Sequence, residues 1–258
     1  MPRQRIEGVD IYYEVHGDGD PLILIHHGIG CTRMWEKFLP AFSKCYKVIV
    51  YDRRGFGKSE KGEGFRDYYL NDQYNPKSIH ELSVLLRHLD VDKPINIVGQ
   101  CEGGAVGFHF AAEYPERVRA IVSSSTLCYS KTTVGELCKD KMFASFEDTD
   151  TEFRGKLIEW HGDSYAQELY ALFMEMGGAY GSGVFDLRGT LKKVACPALV
   201  IYPDRSRLFD VEQSLMMYRA LPQGELAVLP NCGHNTYEEQ PDEYQKHILS
   251  FFERCCAS

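Results

Sequence analysis

The chain has 258 residues, 44% of them hydrophobic and 26% charged, with a formal net charge of −8. That length suits one large α/β domain or two small ones. An acidic balance disfavours nucleic acid or an anionic membrane as the main partner, because both repel it. No apolar run approaches the ~20 residues of a membrane-spanning helix. The opening MPRQRIEGVD lacks the apolar core of a secretory leader. Nine cysteines, at 31, 45, 101, 128, 138, 196, 232, 255 and 256, form no C-x-x-C pair. The odd count in a long chain fits a reducing cytoplasm better than a disulfide framework or a zinc site.

Residues 4–16 read as a β-hairpin turning near Gly8-Val9-Asp10. Pro21 to His26 is a continuous apolar strand of the kind a parallel sheet covers on both faces. It runs into the glycine-rich loop His27-Gly28-Ile29-Gly30. A helix is expected over Met34 to Phe42 and a strand over Tyr46 to Tyr51. The loop Asp52-Arg53-Arg54-Gly55-Phe56-Gly57 follows, with Asp52 and Arg53 expected to brace it. Residues 60–75 are polar and aromatic and read as a long surface loop. A helix runs from Asn75-Pro76 to His88, with Ile79, Leu82, Leu85, Leu86 and Leu89 on one face.

Ile95 to Val98 is a short strand ending in Gly99-Gln100-Cys101-Glu102-Gly103, and a helical run to Tyr114 follows. Strand, sharp turn and helix form the setting of a nucleophile elbow, with Cys101 at its centre. The strained turn needs small neighbours, which Gly99 and Gly103 supply. A sulfur at the N-terminus of a helix meets free N–H groups and partial positive charge, which favour a thiolate. The plainer alternative is a buried cysteine in an ordinary turn.

Arg117 to Ser123 is the next strand. The strand–helix rhythm then stops for about 65 residues, with helices expected over Val134 to Phe146, Glu152 to Trp160 and Tyr165 to Met176. Residues 127–193 read as an inserted helical cap between core segments 1–126 and 194–258. The rhythm resumes with a strand over Ala198 to Tyr202, a helix over Val211 to Ala220 and a strand over Glu225 to Leu229. The loop Pro230 to Asn235 and a helix over Asp242 to Cys255 close the chain. Such alternation implies an α/β fold with a mostly parallel sheet and a site at the C-terminal strand ends. His27, Cys101, the loop after Tyr202 and His234 all follow strands and should converge there.

Five pieces in order carry a resemblance: HHGIG at 26–30, YDRRGFGKS at 51–59, GQCEGG at 99–104, LVIYPD at 199–204 and LPNCGHNTYEEQPDEY at 229–244. Together they resemble the α/β-hydrolase superfamily, nearest its small-molecule branch of esterases, C–C bond hydrolases and haloperoxidase-like enzymes. The cysteine in the elbow is similar to that of the dienelactone hydrolases. The resemblance implies an α/β-hydrolase fold, Cys101 as nucleophile and His234 as general base and acid. It also implies an oxyanion hole made by the backbone N–H groups of Ile29 and Glu102. His26 and His27 are expected to shape the oxyanion loop; the Glu102 side chain either opposes the thiolate, if turned toward Cys101, or matters little, if exposed at the helix start.

The pattern breaks at the triad acid. The turn after the Ala198 strand reads Pro203-Asp204-Arg205-Ser206, so a serine stands where the acid belongs. Asp204 reaches His234 if the turn is rebuilt; otherwise Ser206 bonds the imidazole. A cysteine tolerates this better than a serine, since its thiol ionises near pH ~8.5. The implied activity is hydrolysis of a small ester, lactone or thioester through a Cys101 thioester. An apolar acyl group is expected against Tyr129, Phe143 and Trp160, drawn from a wider set with Met142, Tyr165, Phe173, Met174 and Tyr180. The alternatives are an acyltransferase or thioesterase using an acceptor other than water, or a ligand-binding protein with a weakened triad. No metal and no cofactor is implied, and the expected partner is a small molecule.

Overall fold

Eight strands form one sheet in the order β1-β2-β4-β3-β5-β6-β9-β10. The computed structural model describes residues 2–142 and 145–256. The strands are β1 (Arg3–Ile6), β2 (Val9–His16), β3 (Asp20–Ile25), β4 (Tyr46–Tyr51), β5 (Ile95–Gln100), β6 (Val118–Ser124), β9 (Ala198–Pro203) and β10 (Gly224–Leu229). β1, β2 and β4 pair antiparallel, and every other neighbour is parallel. A separate pair, β7 (Tyr129–Thr133) and β8 (Val184–Asp186), lies within the 127–193 segment.

The helices are α1 (Leu39–Phe42), α2 (Phe65–Leu70), α3 (Tyr74–His88), α4 (Glu102–Glu113), α5 (Val134–Cys138), α6 (Thr151–His161), α7 (Asp163–Met174), α8 (Arg188–Leu191), α9 (Glu212–Ala220), α10 (Thr236–Glu239) and α11 (Pro241–Cys256). The apolar strand runs serve two cores. In β3, Ile23 and Ile25 pack with Leu82, Leu85 and Leu86 of α3 and Val106 and Phe110 of α4. Leu22 and Leu24 face the other way, onto Phe38, Phe42 and Tyr244, Ile248 and Phe251 of α11. Period-two side-chain placement thus turns an unbroken apolar run into a strand buried on both faces.

Several local expectations are corrected. The hairpin turns at Glu7-Gly8, both with positive φ. The helix expected over 34–42 splits into a 3-10 turn, Thr32–Trp35, and α1, with Pro40 in the first turn of the second piece. Residues 65–70 are helical rather than loop, because Phe65, Tyr68 and Tyr69 bury one face. The helix expected over 134–146 stops at Cys138, capped at its start by a Thr133–Glu136 capping box.

The elbow is built as its glycines require. Cys101 has φ 52° and ψ −115°, a conformation that an L residue holds only under constraint. A Cβ on Gly99 would stand 2.5 Å from the Gly103 carbonyl oxygen, and one on Gly103 would stand 2.6 Å from that of His26. We expect Gly103→Ala to destabilise the fold by about 3 kcal/mol, since backbone cannot give way. Urea unfolding checks this, and a loss below about 1 kcal/mol would show that the turn relaxes freely.

Candidate active site

Cys101 caps the N-terminus of α4, and its backbone N–H donates to Ser124 O of β6 at 2.7 Å. The Glu102 N–H faces the sulfur and favours its ionisation. Burial works the other way and dominates. It pushes the Cys101 thiol up to about 12, with the Glu102 carboxylate adding to the rise. The thiolate expected from the helix terminus is therefore not the resting form. The geometry of the elbow is as expected, and its electrostatics are not.

The Glu102 side chain is buried, not exposed. Its Oε1 accepts from Arg53 Nη1 at 2.6 Å, and both side chains are 2% exposed. Arg53 also donates to Tyr74 Oη at 2.7 Å and to the His27 carbonyl at 3.0 Å. The carboxylate is cradled by glycines: a Cβ on Gly28 would lie 2.7 Å from Oε2, and one on Gly178 2.6 Å from Oε1. Asp52 braces its own loop, accepting from Thr32 N at 2.6 Å and Lys58 N at 2.8 Å.

The oxyanion loop is held from several sides. His26 accepts from Arg53 N at 3.0 Å through Nε2, and its Nδ1 meets the His27 carbonyl at 2.8 Å. His161, on α6, donates from Nε2 to the Ile29 carbonyl at 2.9 Å and accepts from Gly57 N at 3.0 Å. The Ile29 N–H, expected in the oxyanion hole, is turned to Nδ1 of His27 at 3.4 Å. That bond is long and weak, but it leaves the Glu102 N–H as the amide on the sulfur in this conformation.

His234 sits in the loop after β10. Its carbonyl accepts from Gln100 Nε2 at 3.1 Å and Ser125 Oγ at 2.7 Å, which ties the histidine loop to the residues beside the elbow. Its ring packs edge-on against Phe209 at 5.5 Å. Nδ1 is 3.0 Å from Ser206 Oγ. Burial lowers the imidazole to about 4, so the ring is neutral at neutral pH.

Asp204 does not reach His234. Its carboxylate accepts from Cys232 N at 3.1 Å and lies 3.8 Å from Arg205 Nε. Hydrogen bonds from the Asn231 and Cys232 backbone hold it below the usual carboxylate range. It closes the histidine loop and is no triad acid. Ser206 alone occupies the acid's place. Its Oγ already accepts from Leu208 N at 3.3 Å and Phe209 N at 3.2 Å. A carboxylate here would only accept, fixing the proton on Nδ1 and leaving Nε2 as the base. A hydroxyl has two acceptor sites, and with both amides on them its proton is left for Nδ1, which favours the tautomer protonated on Nε2.

Of the expected substrate contacts, Trp160 stands beside His27, with ring centroids 6.1 Å apart. Tyr129 instead has the Arg188 guanidinium 4.1 Å over its ring. Phe143 lies outside the described residues. Phe173 covers the oxyanion loop: a Cβ on Gly28 would stand 2.7 Å from its ring. Tyr180 brings its hydroxyl to 3.5 Å from Cys101 Sγ. The sequence places Tyr180 only in the set of aromatic residues expected against the acyl group, not beside the sulfur. Arg53 is expected from the sequence only to brace its loop, and nothing there points to its ion pair with Glu102. Among the described residues no cluster of His, Cys, Asp and Glu could hold a metal ion, and no helix is long and apolar enough to cross a membrane.

The family model for the alpha/beta hydrolase fold matches residues 20–177. The chain belongs to this family. It is 26% identical to the 2-hydroxy-6-oxo-6-(2'-aminophenyl)hexa-2,4-dienoic acid hydrolase of Metapseudomonas resinovorans, over 96% of this chain and 89% of that relative. The meta-cleavage product hydrolase of Pseudomonas fluorescens IP01 shares its fold, with a TM-score of 0.81, 23% identity and 98% of each chain covered. So does the enol-lactonase of Burkholderia xenovorans LB400, with a TM-score of 0.78, 19% identity, 98% of this chain and 100% of that one. This α/β-hydrolase thus keeps the family's sheet and elbow.

Five histidines, His26 and His161 buried and His27, His109 and His234 half-buried, make the fold acid-sensitive. Burial holds His26 far below its ordinary value, His27 at about 3, and His109, His161 and His234 at about 4. Below pH ~6.5 the unfolded chain binds protons that the folded one refuses, so stability present above that pH is lost as pH falls. Glu81, raised to about 7 by burial, works in the opposite direction. The histidines outnumber it, and each contributes up to about 1.4 kcal/mol per pH unit. Urea midpoints should fall steadily from pH 7 to pH 5; a flat or rising profile would contradict the neutral histidines.

Proposed function

We propose that this α/β-hydrolase cleaves a small ester, lactone or thioester through a thioester on Cys101, with water as acceptor. The observation that carries the reading is the strained elbow residue itself. Backbone strain at a non-glycine residue persists only where the surroundings enforce it, and here it presents a thiol beside an oriented N–H. Sulfur attacks the carbonyl carbon and forms the C–S bond, and the carbonyl electron pair moves to oxygen. The thiol proton passes to Nε2 of His234 in the tautomer that carries its other proton on Nδ1, which requires Ser206 Oγ to release one of its amide bonds and accept from Nδ1. Collapse expels the alcohol or thiol, which takes that proton back. Water, activated by His234, then opens the thioester and releases the acid.

Thiol and imidazole both rest neutral, so attack proceeds by general-base transfer rather than from a preformed ion pair. That suits activated carbonyls over amides. The 127–193 segment serves as a cap, and Phe173 and Trp160 offer apolar surface to the acyl group. The hydrolases and lactonase that share this fold act, by their names, on acidic dienes and enol-lactones. An acyl acceptor other than water stays compatible with the same intermediate. A binding role without turnover gains support from Ser206 in the acid's place.

The test is the acyl-enzyme. With p-nitrophenyl esters, aryl lactones and thioesters, we expect an acyl adduct on Cys101 by mass spectrometry and turnover lost in Cys101→Ala. His234→Ala should slow turnover by about 10²- to 10⁴-fold. Ser206→Asp should raise the imidazole pKa and fix its tautomer, speeding iodoacetamide alkylation of Cys101 at pH 7 by about tenfold or more. Release of product only when an alcohol or amine is added would make the chain an acyltransferase. Tight ligand binding with neither adduct nor turnover would make it a binding protein.

A further inference from the structure

Tyr180 ends a short 3-10 turn, Gly178–Tyr180, seated on the buried carboxylate of Glu102. The Ala179 N–H donates to Glu102 Oε1 at 3.3 Å, and Gly178 has no room for a side chain there. The phenol ring is held edge-on against Phe185 at 5.0 Å and Phe209 at 5.8 Å. Its oxygen accepts from Leu127 N at 3.2 Å and stands 3.5 Å from Cys101 Sγ. With the backbone N–H on the oxygen, the phenolic proton is left for the sulfur.

We propose that Tyr180 is a catalytic residue whose hydroxyl donates a hydrogen bond to Cys101 Sγ and stabilises the sulfur as negative charge gathers on it during attack. The assignment rests on the acyl-enzyme reading above. No proton leaves the phenol: its bond to sulfur strengthens as the thiol proton departs to His234, and weakens once the C–S bond has formed. Charge-assisted hydrogen bonds of this kind are roughly twice as strong as neutral ones.

The groups facing the sulfur explain why such a donor matters. Glu102 opposes charge on it, although Arg53 pairs with that carboxylate, and Cys138 of α5 opposes it as well. Tyr69 of α2 and Tyr202 of β9 also lie within electrostatic reach, both buried and both protonated far above neutral pH. The Tyr202 hydroxyl has no hydrogen-bond partner among the described residues. Tyr180 and the Glu102 N–H act in the favourable direction. Where His234 has only a serine behind it, the phenol supplies stabilisation that an imidazolium would otherwise provide.

The experiment is iodoacetamide alkylation of Cys101, followed peptide by peptide from pH 6 to 10, in wild type and Tyr180→Phe. The expected result is alkylation slowed by about tenfold across the range, as if the thiol pKa rose by one unit. Replacement of Tyr180 by 3-fluorotyrosine, a stronger donor on the same ring, should speed it. A purely structural role gives the opposite sign, because loosened packing exposes the thiol and speeds alkylation. An unchanged or faster rate in Tyr180→Phe therefore overturns the assignment. So does a slower rate in the fluorinated protein, which also guards against misfolding of the phenylalanine variant. Acylation of wild type by an aryl ester runs alongside. If no adduct forms on Cys101, the acyl-transfer reading fails whatever the alkylation ratio. If the adduct forms and the ratio is one, only the role of Tyr180 fails.

Discussion

A buried ion pair beneath Cys101 holds this site together. Arg53 and Glu102 meet at 2.6 Å with almost no exposure, and removing one partner of such a pair typically costs about 3–5 kcal/mol. Three segments close on it. The β4 loop contributes Arg53, the oxyanion loop offers the His27 carbonyl and Gly28, and the 127–193 segment presents Gly178 and Ala179. A guanidinium has five donors that need partners when buried. The partners of Nη1 and Nη2 bring together pieces that lie far apart in the chain, while Nε finds none among the described residues.

The same burial decides the electrostatics. A helix N-terminus stabilises a nearby anion by about 2 kcal/mol at best. Desolvation of the half-buried Cys101, with a carboxylate one residue away, raises its thiol toward 12, a penalty on the order of 4 kcal/mol. Desolvation outweighs the helix dipole, so the resting site is a neutral thiol and a neutral imidazole. Under the proposed acyl transfer, charge is made during attack, and the groups placed to receive it are the Glu102 N–H, the Tyr180 hydroxyl and the ring of His234.

The 127–193 segment does more than fill space above the strand ends. His161 bridges the Ile29 carbonyl and the Gly57 N–H, so one imidazole locks α6 to two core loops. Phe173 lies on Gly28, and Tyr180 reaches the sulfur. Each contact demands a small residue or an open carbonyl on the core side. Gly28 of HHGIG thus serves the packing of this segment as much as the turn that contains it.

Local pattern carried the framework. Apolar runs between glycine-rich loops specified the strands, and Gly99-x-Cys101-x-Gly103 specified the elbow, because a left-handed turn with no space for a Cβ leaves few residue choices. The order of strand-end motifs placed Cys101 and His234 at one edge, and Ser206 where an acid belongs. Helix 65–70 escaped, since its apolar face is aromatic and too short to show a period. Tertiary structure alone decided that Glu102 turns inward to Arg53, that Asp204 closes a loop instead of serving His234, and that Tyr180 meets the sulfur. The reason is physical: the partners of a buried charge or hydroxyl are chosen by what lies near in space, and those neighbours sit 49, 28 and 79 residues away along the chain.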